Sequence, residues 1–194
     1  LESRYTEYRD LGIENPSIQA RINDTIMLPA HVVWELGVTG VGMRSAVGKA
    51  YDIRKVMPYA RYDQVEFDVP TGTYSDATCR IDIKLQELVQ CIGIIRQCLE
   101  KMPKGEVRVP FGKGQSMRWT VPAGHVYSVV ESSRGEFGYY MVSDGGTHPY
   151  RVGVRGASYP QGLLGIEKYL PGTRIDDAAL WIDTMGVCSP EIDR

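Results

Sequence analysis

Side chains able to do chemistry are scattered along this sequence, and few of them group. His31, His125 and His148 are the only histidines, and none stands near a nucleophile in sequence, so spacing assembles no Ser-His-Asp type of relay. Asp176-Asp177 pairs two carboxylates, but a helix start accounts for them, because negative charge there complements the helix dipole. Cys79, Cys91, Cys98 and Cys188 show neither a CxxC spacing nor a histidine cluster, which argues against structural zinc and against a dense disulfide framework. Reduced thiols in a cytosolic compartment fit that pattern. From Val38 to Lys49, VTGVGMRSAVGK combines glycines with Arg44 and Lys49 and reads as a loop that lets backbone approach something closely. Its GxGxxxxxG spacing matches neither the dinucleotide fingerprint nor the phosphate-binding P-loop. Arg54 and Lys55 are candidate anion ligands whose ordinary place is a solvated surface. Cys188, close to Glu191 and the terminal Arg194, is the one grouping that is odd for a tail, where frayed polar residues are the rule.

The elements that must position these groups follow from periodicity. Ile81, Leu85, Leu88, Ile92, Ile95, Leu99 and Met102 recur at spacings of four and three, which predicts a core helix of about seven turns over Ser75 to Met102. Ser75 is the expected cap, Asp76 suits the helix start, and Pro103 with Gly105 ends it. Arg80, Asp82, Lys84, Glu87 and Arg96 fall largely off the stripe, on a solvated or partner-facing side. Cys91 and Cys98 lie roughly 10.5 Å apart by helix rise, too far for a disulfide, and are expected to pack. Tyr139 to Ser143 and Tyr150 to Arg155 predict an antiparallel hairpin, with Asp144-Gly145-Gly146 supplying the tightest turn in the region and Val126 to Val130 leading in. Pro29 and Gly37 bracket a two-turn helix over Leu28 to Leu36, and Leu1 to Leu11 is a further helical stretch. Gln64 to Pro70 reads as a short strand-like run. Gly162 to Leu170 and Arg174 to Met185 read as helices, the second burying Ile175, Ala178, Ala179, Ile182 and Met185, and Gly186 to Arg194 as a non-helical end. The expected regions are a helical and loop segment over 1–50, the long helix with a basic connection over 51–125, and the hairpin with terminal helices over 126–194, together one α+β domain.

Composition narrows the classes. With 43% hydrophobic and 24% charged residues and a net charge of -2, the chain is neither disordered nor built for polyanions, which disfavours nucleic acid. No apolar run reaches the 18 or so residues that span a bilayer, and the start lacks the layout of a signal peptide, so a soluble or peripheral chain is expected. It begins at Leu1 without a methionine, and a missing upstream portion is expected.

Several blocks together resemble a known family. Tyr51-Asp52-Ile53-Arg54-Lys55 with Pro58-Tyr59, Tyr62-Asp63, Phe67-Asp68-Val69-Pro70 with Gly72, and Ile94-Ile95 with Gln97 and Leu99 come first. Arg134-Gly135-Glu136-Phe137-Gly138-Tyr139, Val142-Ser143-Asp144-Gly145, Pro149-Tyr150-Arg151 and Glu191-Ile192-Asp193-Arg194 come after them in the same order. They are similar to the D subunit of the respiratory NADH:quinone oxidoreductase, complex I, a family related to the large subunit of nickel-iron hydrogenases. The resemblance covers nearly the whole chain and implies a C-terminal portion with a hydrogenase large-subunit-like fold: a long core helix and shorter helices packed with a small antiparallel sheet.

The resemblance also implies roles. Where the hydrogenases carry their last CxxC pair this chain reads Cys188-Ser189-Pro190-Glu191, so a nickel site, which needs several soft thiolates, is not expected. The vacated metal pocket corresponds to a quinone cavity at the contact with the subunit that holds the terminal iron-sulfur cluster. Cys188 would form wall, Glu191 and Arg194 would shape the cavity, Arg134 would act electrostatically, and Arg44 matches an arginine of the glycine-rich loop. No cofactor is expected in this chain: quinone is the substrate, electrons come from a cluster in a neighbour, and NADH binds elsewhere in the complex. The implied protein is a subunit of a proton-translocating enzyme on the cytoplasmic side of the cell membrane, inactive in isolation. Two other readings stand beside it. One is a scaffold fragment without quinone contact; the other is a retained hydrogenase-like subunit, which one equivalent of bound nickel would establish.

Overall fold

The computed structural model describes residues 2–108 and 120–193. Arg194 and residues 109–119 of the basic connection lie outside that set. A helical body carries a three-stranded antiparallel sheet in the order β1 (Gly124–Ser132), β2 (Gly135–Ser143), β3 (Arg151–Arg155). The body is built from α1 (Tyr5–Gly12), α2 (Pro16–Ile22), α3 (Ala30–Leu36), α4 (Val41–Ala46), α5 (Ile53–Val56), α6 (Ala77–Glu100), α7 (Gly165–Tyr169), α8 (Ile175–Met185) and α9 (Ser189–Ile192).

The core sits where α3, α4 and α8 meet, with Leu28, Val32, Val33, Val38, Met43, Trp181 and Met185 in one buried cluster. α3 forms where its brackets require: Pro29 precedes its first turn, and Gly37 closes it in the left-handed conformation that glycine adopts without a Cβ clash. The glycine-rich stretch differs from the expected loop, because its middle is the buried helix α4. Its tolerance of close approach is used nonetheless. Gly40 has φ 65° and ψ -141°, and a Cβ there would run into the carbonyl of Arg134 in the β1–β2 turn.

α6 has the expected length but not the expected cap or buried face. Asp76 caps it, its Oδ1 accepting from Cys79 N–H at 2.8 Å, while its Oδ2 accepts from Asp24 N–H at 3.0 Å. Ser75 instead offers its carbonyl to Arg80. The buried positions are Ala77, Arg80, Ile83 and Ile94. On the apolar stripe, Ile95, Leu99 and Met102 are 58%, 63% and 62% exposed. Arg80, expected on the outer side, is fully buried, and it can be because its guanidinium meets oxygen on three sides: Ser75 O, Ile26 O at 3.1 Å and Thr184 Oγ1 at 3.1 Å. Cys91 and Cys98, expected to pack, are exposed.

The run Gln64 to Pro70 has no strand partner among the described residues. Side-chain amides of α6 serve instead: Gln97 exchanges two hydrogen bonds with the backbone of Glu66, at 2.9 and 2.6 Å, and Gln90 accepts from Asp68 N–H at 3.0 Å. The β2–β3 hairpin is present, with Val142 opposite Arg151 and Gly138 opposite Arg155. The tighter turn, however, lies upstream: Val126 to Val130 belongs to a full strand, β1, and Ser132 pairs directly with Gly135, leaving Ser133 and Arg134 as the whole connection.

α8 buries Asp177, Trp181, Thr184 and Met185, so of its expected core side chains only Met185 is fully inside, and Ile175 is 90% exposed. The polar pair Asp177 and Thr184 faces inward because partners are there, Arg21 for the carboxylate and Arg80 for the hydroxyl. Before α7, residues Pro160–Leu164 form a π-type turn whose Gln161 carbonyl accepts the Trp181 indole N–H at 2.7 Å. The end is not wholly irregular either, since Cys188 precedes the short helix α9, with Pro190 in its first turn.

Candidate functional site

The two-residue turn Ser133-Arg134 is held from three directions. Gly40 and Gly135 bring the α4 entry against it, Gln161 Nε2 donates to the Arg134 carbonyl at 3.1 Å, and Arg134 N–H donates to Ser132 Oγ at 3.1 Å. In front of this fixed turn lies a cavity of about 560 Å³. One side is α6, through Lys84, Glu87, Leu88 and Cys91. The β1 end and the turn supply Glu131 to Arg134, and the end of α8 closes the third side with Ile182, Asp183 and Val187. The result is a largely apolar cavity edged by charge.

Two of its ionisable groups, Glu131 and Lys84, are shifted chiefly by burial. Glu131 Oε2 accepts from Ile53 N–H at 3.0 Å, yet desolvation pushes its pKa up to about 7. Lys84 donates to the Asp183 carbonyl at 2.7 Å, and desolvation brings its pKa down to about 8. Both groups therefore exchange protons near neutrality, as acid-base work requires. Arg54, also at the rim, is committed to Asp52 by a fork of 2.9 and 2.6 Å, and its guanidinium lies over the Phe67 ring.

The residues singled out in the sequence divide between two places. Arg134 lines the cavity, with its Nε buried and without a hydrogen-bond partner among the described atoms. Arg44 lies behind it, 3% exposed, with Nη1 2.6 Å from Glu87 Oε1 but not aligned as a hydrogen bond. Cys188 and Glu191 do not line the cavity. Both converge on buried Ser158, whose Oγ accepts from Cys188 N–H at 3.1 Å and donates to Glu191 Oε2, which also accepts from Ser158 N–H at 3.1 Å. Arg194 lies outside the described residues. Among the described residues, no three His, Cys, Asp or Glu side chains group as metal ligands.

Glu131, Lys84, Glu87 and Asp183 also line the cavity, and sequence reasoning does not single them out for it. For Glu131 a signal existed. It pairs directly across the turn with Glu136, and like charges at opposed positions are unfavourable unless each has its own use. Glu136 is occupied by Tyr51 Oη at 2.8 Å and by Arg155 at 3.5 Å, which leaves Glu131 to the cavity. Seeing this requires the turn at Ser133-Arg134, which the sequence masks behind the more glycine-rich Asp144-Gly145-Gly146.

Comparison with known proteins gives a consistent lineage. Residues 1–118 and 113–194 match the family described as the respiratory-chain NADH dehydrogenase 49 kDa subunit. The chain is 53% identical over 194 residues to the NADH-quinone oxidoreductase D subunit of Thermosipho melanesiensis, covering all of this chain and 53% of that protein. It is 38% identical over 197 residues to the F(420)H(2) dehydrogenase D subunit of Methanosarcina mazei, covering all of this chain and 52% of that one. Among solved structures, a chain of the membrane-bound sulfane sulfur reductase, an archaeal respiratory membrane complex, superposes with a TM-score of 0.90 at 34% identity, over 99% of this chain and 52% of the other. The chain thus spans about half the length of the curated relatives it matches. On the family match across its whole length, this chain belongs to the family of the 49 kDa subunit, also called the D subunit, of the respiratory NADH dehydrogenase.

Proposed function

We propose that this chain is a peripheral-arm component of a proton-translocating NADH (or related donor):quinone oxidoreductase and forms part of its quinone cavity. The observation that carries this reading is the 560 Å³ space in front of the Arg134 turn. A quinone head group is an apolar ring with two hydrogen-bond-accepting oxygens. Leu88, Ile182 and Val187 suit the ring, while Arg134 and Lys84 are donors for the oxygens. Quinone reduction also requires protons in a partly dry site, and Glu131 and Lys84 titrate in the range where they are available. Electrons would come from the iron-sulfur cluster of a neighbouring subunit at the cytoplasmic side of the membrane, with the nicotinamide donor bound elsewhere. Among the described residues no helix is long and apolar enough to cross a membrane, which fits a peripheral place. The relatives' names include both NADH and F(420)H(2) as donors, which supports a donor chosen by other subunits. Cys188 and Glu191 act on the cavity at one remove in this reading, by seating the tail on Ser158 beside the segment that holds the Arg134 carbonyl.

The test is Arg134→Ala in the whole complex. Loss of one charge-assisted hydrogen bond should raise KM for a short-chain quinone about tenfold or more, with ferricyanide reduction from the same donor unchanged. A second reading is a purely structural part of the same complex. The exposed apolar residues Ile95, Leu99 and Met102 favour it, since they suit burial by a neighbour, and an unchanged quinone KM in Arg134→Ala would support it.

A further inference from the structure

Glu131 is the second-to-last residue of β1 and shares the cavity with Lys84 and Arg134. It is fixed at both ends. Its carboxylate accepts from Ile53 N–H at 3.0 Å, and its backbone N–H donates to Tyr59 Oη at 3.3 Å. Charged and titratable groups surround it: Tyr51, Asp52 and Arg54 at α5, Tyr59 after α5, Arg44 on α4, Lys84 and Glu87 on α6, Arg134 in the turn, Glu136 opposite it on β2 and Asp183 on α8. The two cations behind it have other partners, Arg54 in the fork to Asp52 and Arg44 against Glu87. Burial therefore outweighs them, and the carboxyl group keeps its proton up to about pH 7, while Asp52 pushes the same way. A carboxylic acid edging an apolar slot, held by one backbone donor and not neutralised by an ion pair, is poised to release a proton and take it back.

We propose that Glu131 is the proton-carrying residue of this cavity, giving its carboxyl proton to an oxygen of the bound quinone as that oxygen is reduced. The role rests on the proposed quinone site. Reduction to the quinol takes two electrons, from an iron-sulfur cluster of a neighbouring subunit, and two protons. The O–H bond of Glu131 breaks as one quinol O–H bond forms, leaving a carboxylate. Water supplies the second quinol proton and afterwards restores the acid. Arg134, as a donor to the same ring, stabilises the negative charge that precedes proton arrival.

The experiment uses the assembled complex with Glu131→Gln and Glu131→Asp, assayed with decylubiquinone from pH 6 to 9, and with ferricyanide to confirm that the donor side and assembly are intact. Quinone kcat should fall about a hundredfold in Glu131→Gln, with KM within about twofold. The parent's decline above pH 7 should disappear from what activity remains. Glu131→Asp should recover part of kcat with a displaced alkaline limb, and it provides the same readout if the glutamine variant does not assemble. Parental kcat with an unchanged pH profile in either variant overturns the proton role. An azido-quinone that labels the cavity residues while Glu131→Gln stays fully active removes this role alone. Labelling confined to another part of the complex removes the quinone assignment and the proton role with it.

Discussion

At the scale of single residues, Glu131 is held where its charge costs stability. Its carboxyl pKa is raised from 4.5 to about 7, with burial the largest cause. Below pH 4.5 the folded and unfolded states are both protonated there. Between that value and pH 7 only the folded state holds the proton, so stability falls as pH rises through this window, and above it the full cost is present. The shift corresponds to about 3 kcal/mol, an upper bound because the group is partly solvated. Glu131→Gln, which can still accept from Ile53 N–H, should therefore raise the hydrogen-exchange protection of β1 amides in the assembled complex at pH 8 and leave it unchanged at pH 4. Equal protection at both pH values would show that no such cost exists. An acid retained at a stability cost is what a chemical role predicts and a packing role does not. No local pattern in the sequence displays this, because the cost comes from burial by parts of the fold far away in the chain, offset only in part by Ile53 N–H, Arg44 and Arg54.

At the scale of elements, Arg80 joins three parts of the fold. From α6 it bonds the chain ahead of that helix at Ser75 O, the segment before α3 at Ile26 O, and α8 at Thr184, with its guanidinium centre 5.7 Å from the Trp181 ring. Arg80→Lys keeps the charge but loses the planar fork, and it should destabilise the chain by about 3 kcal/mol, measured as a lower dissociation and unfolding midpoint of the complex. An unchanged midpoint would mean that the fork is not a joint. The same residue shows which parts of the fold were legible. α3 could be read because its start and stop signals, Pro29 and Gly37, act within a few residues of where they stand. The existence and length of α6 could be read from periodicity, yet the face it buries could not. Its apolar stripe is half covered, and its innermost side chain is an arginine whose acceptors come from residues 26, 75 and 184. In α8 the misreading has the same cause: Asp177 and Thr184 turn inward toward Arg21 and Arg80, leaving Ile175 outside.

At the scale of the whole molecule, the cavity is a product of topology. Residues 84–91, 131–134 and 182–187 are brought together because the β1–β2 turn is clamped between Gly40 and Gln161, over the crossing of α6 and α8. Family resemblance singles out Arg134, and the structure puts it on the wall of this cavity; the other charged wall residues come from separate parts of the chain, and no local pattern groups them. Cys188 and Glu191 of the tail meet Ser158, near the Gln161 that supports the turn. The position of a bound quinone analogue in a structure of the assembled complex tests the quinone site most directly. The head group should occupy the 560 Å³ space, with an oxygen about 3 Å from Arg134 or Glu131. A head group bound elsewhere in the assembly, with this space filled by side chains of a neighbouring subunit, would contradict it.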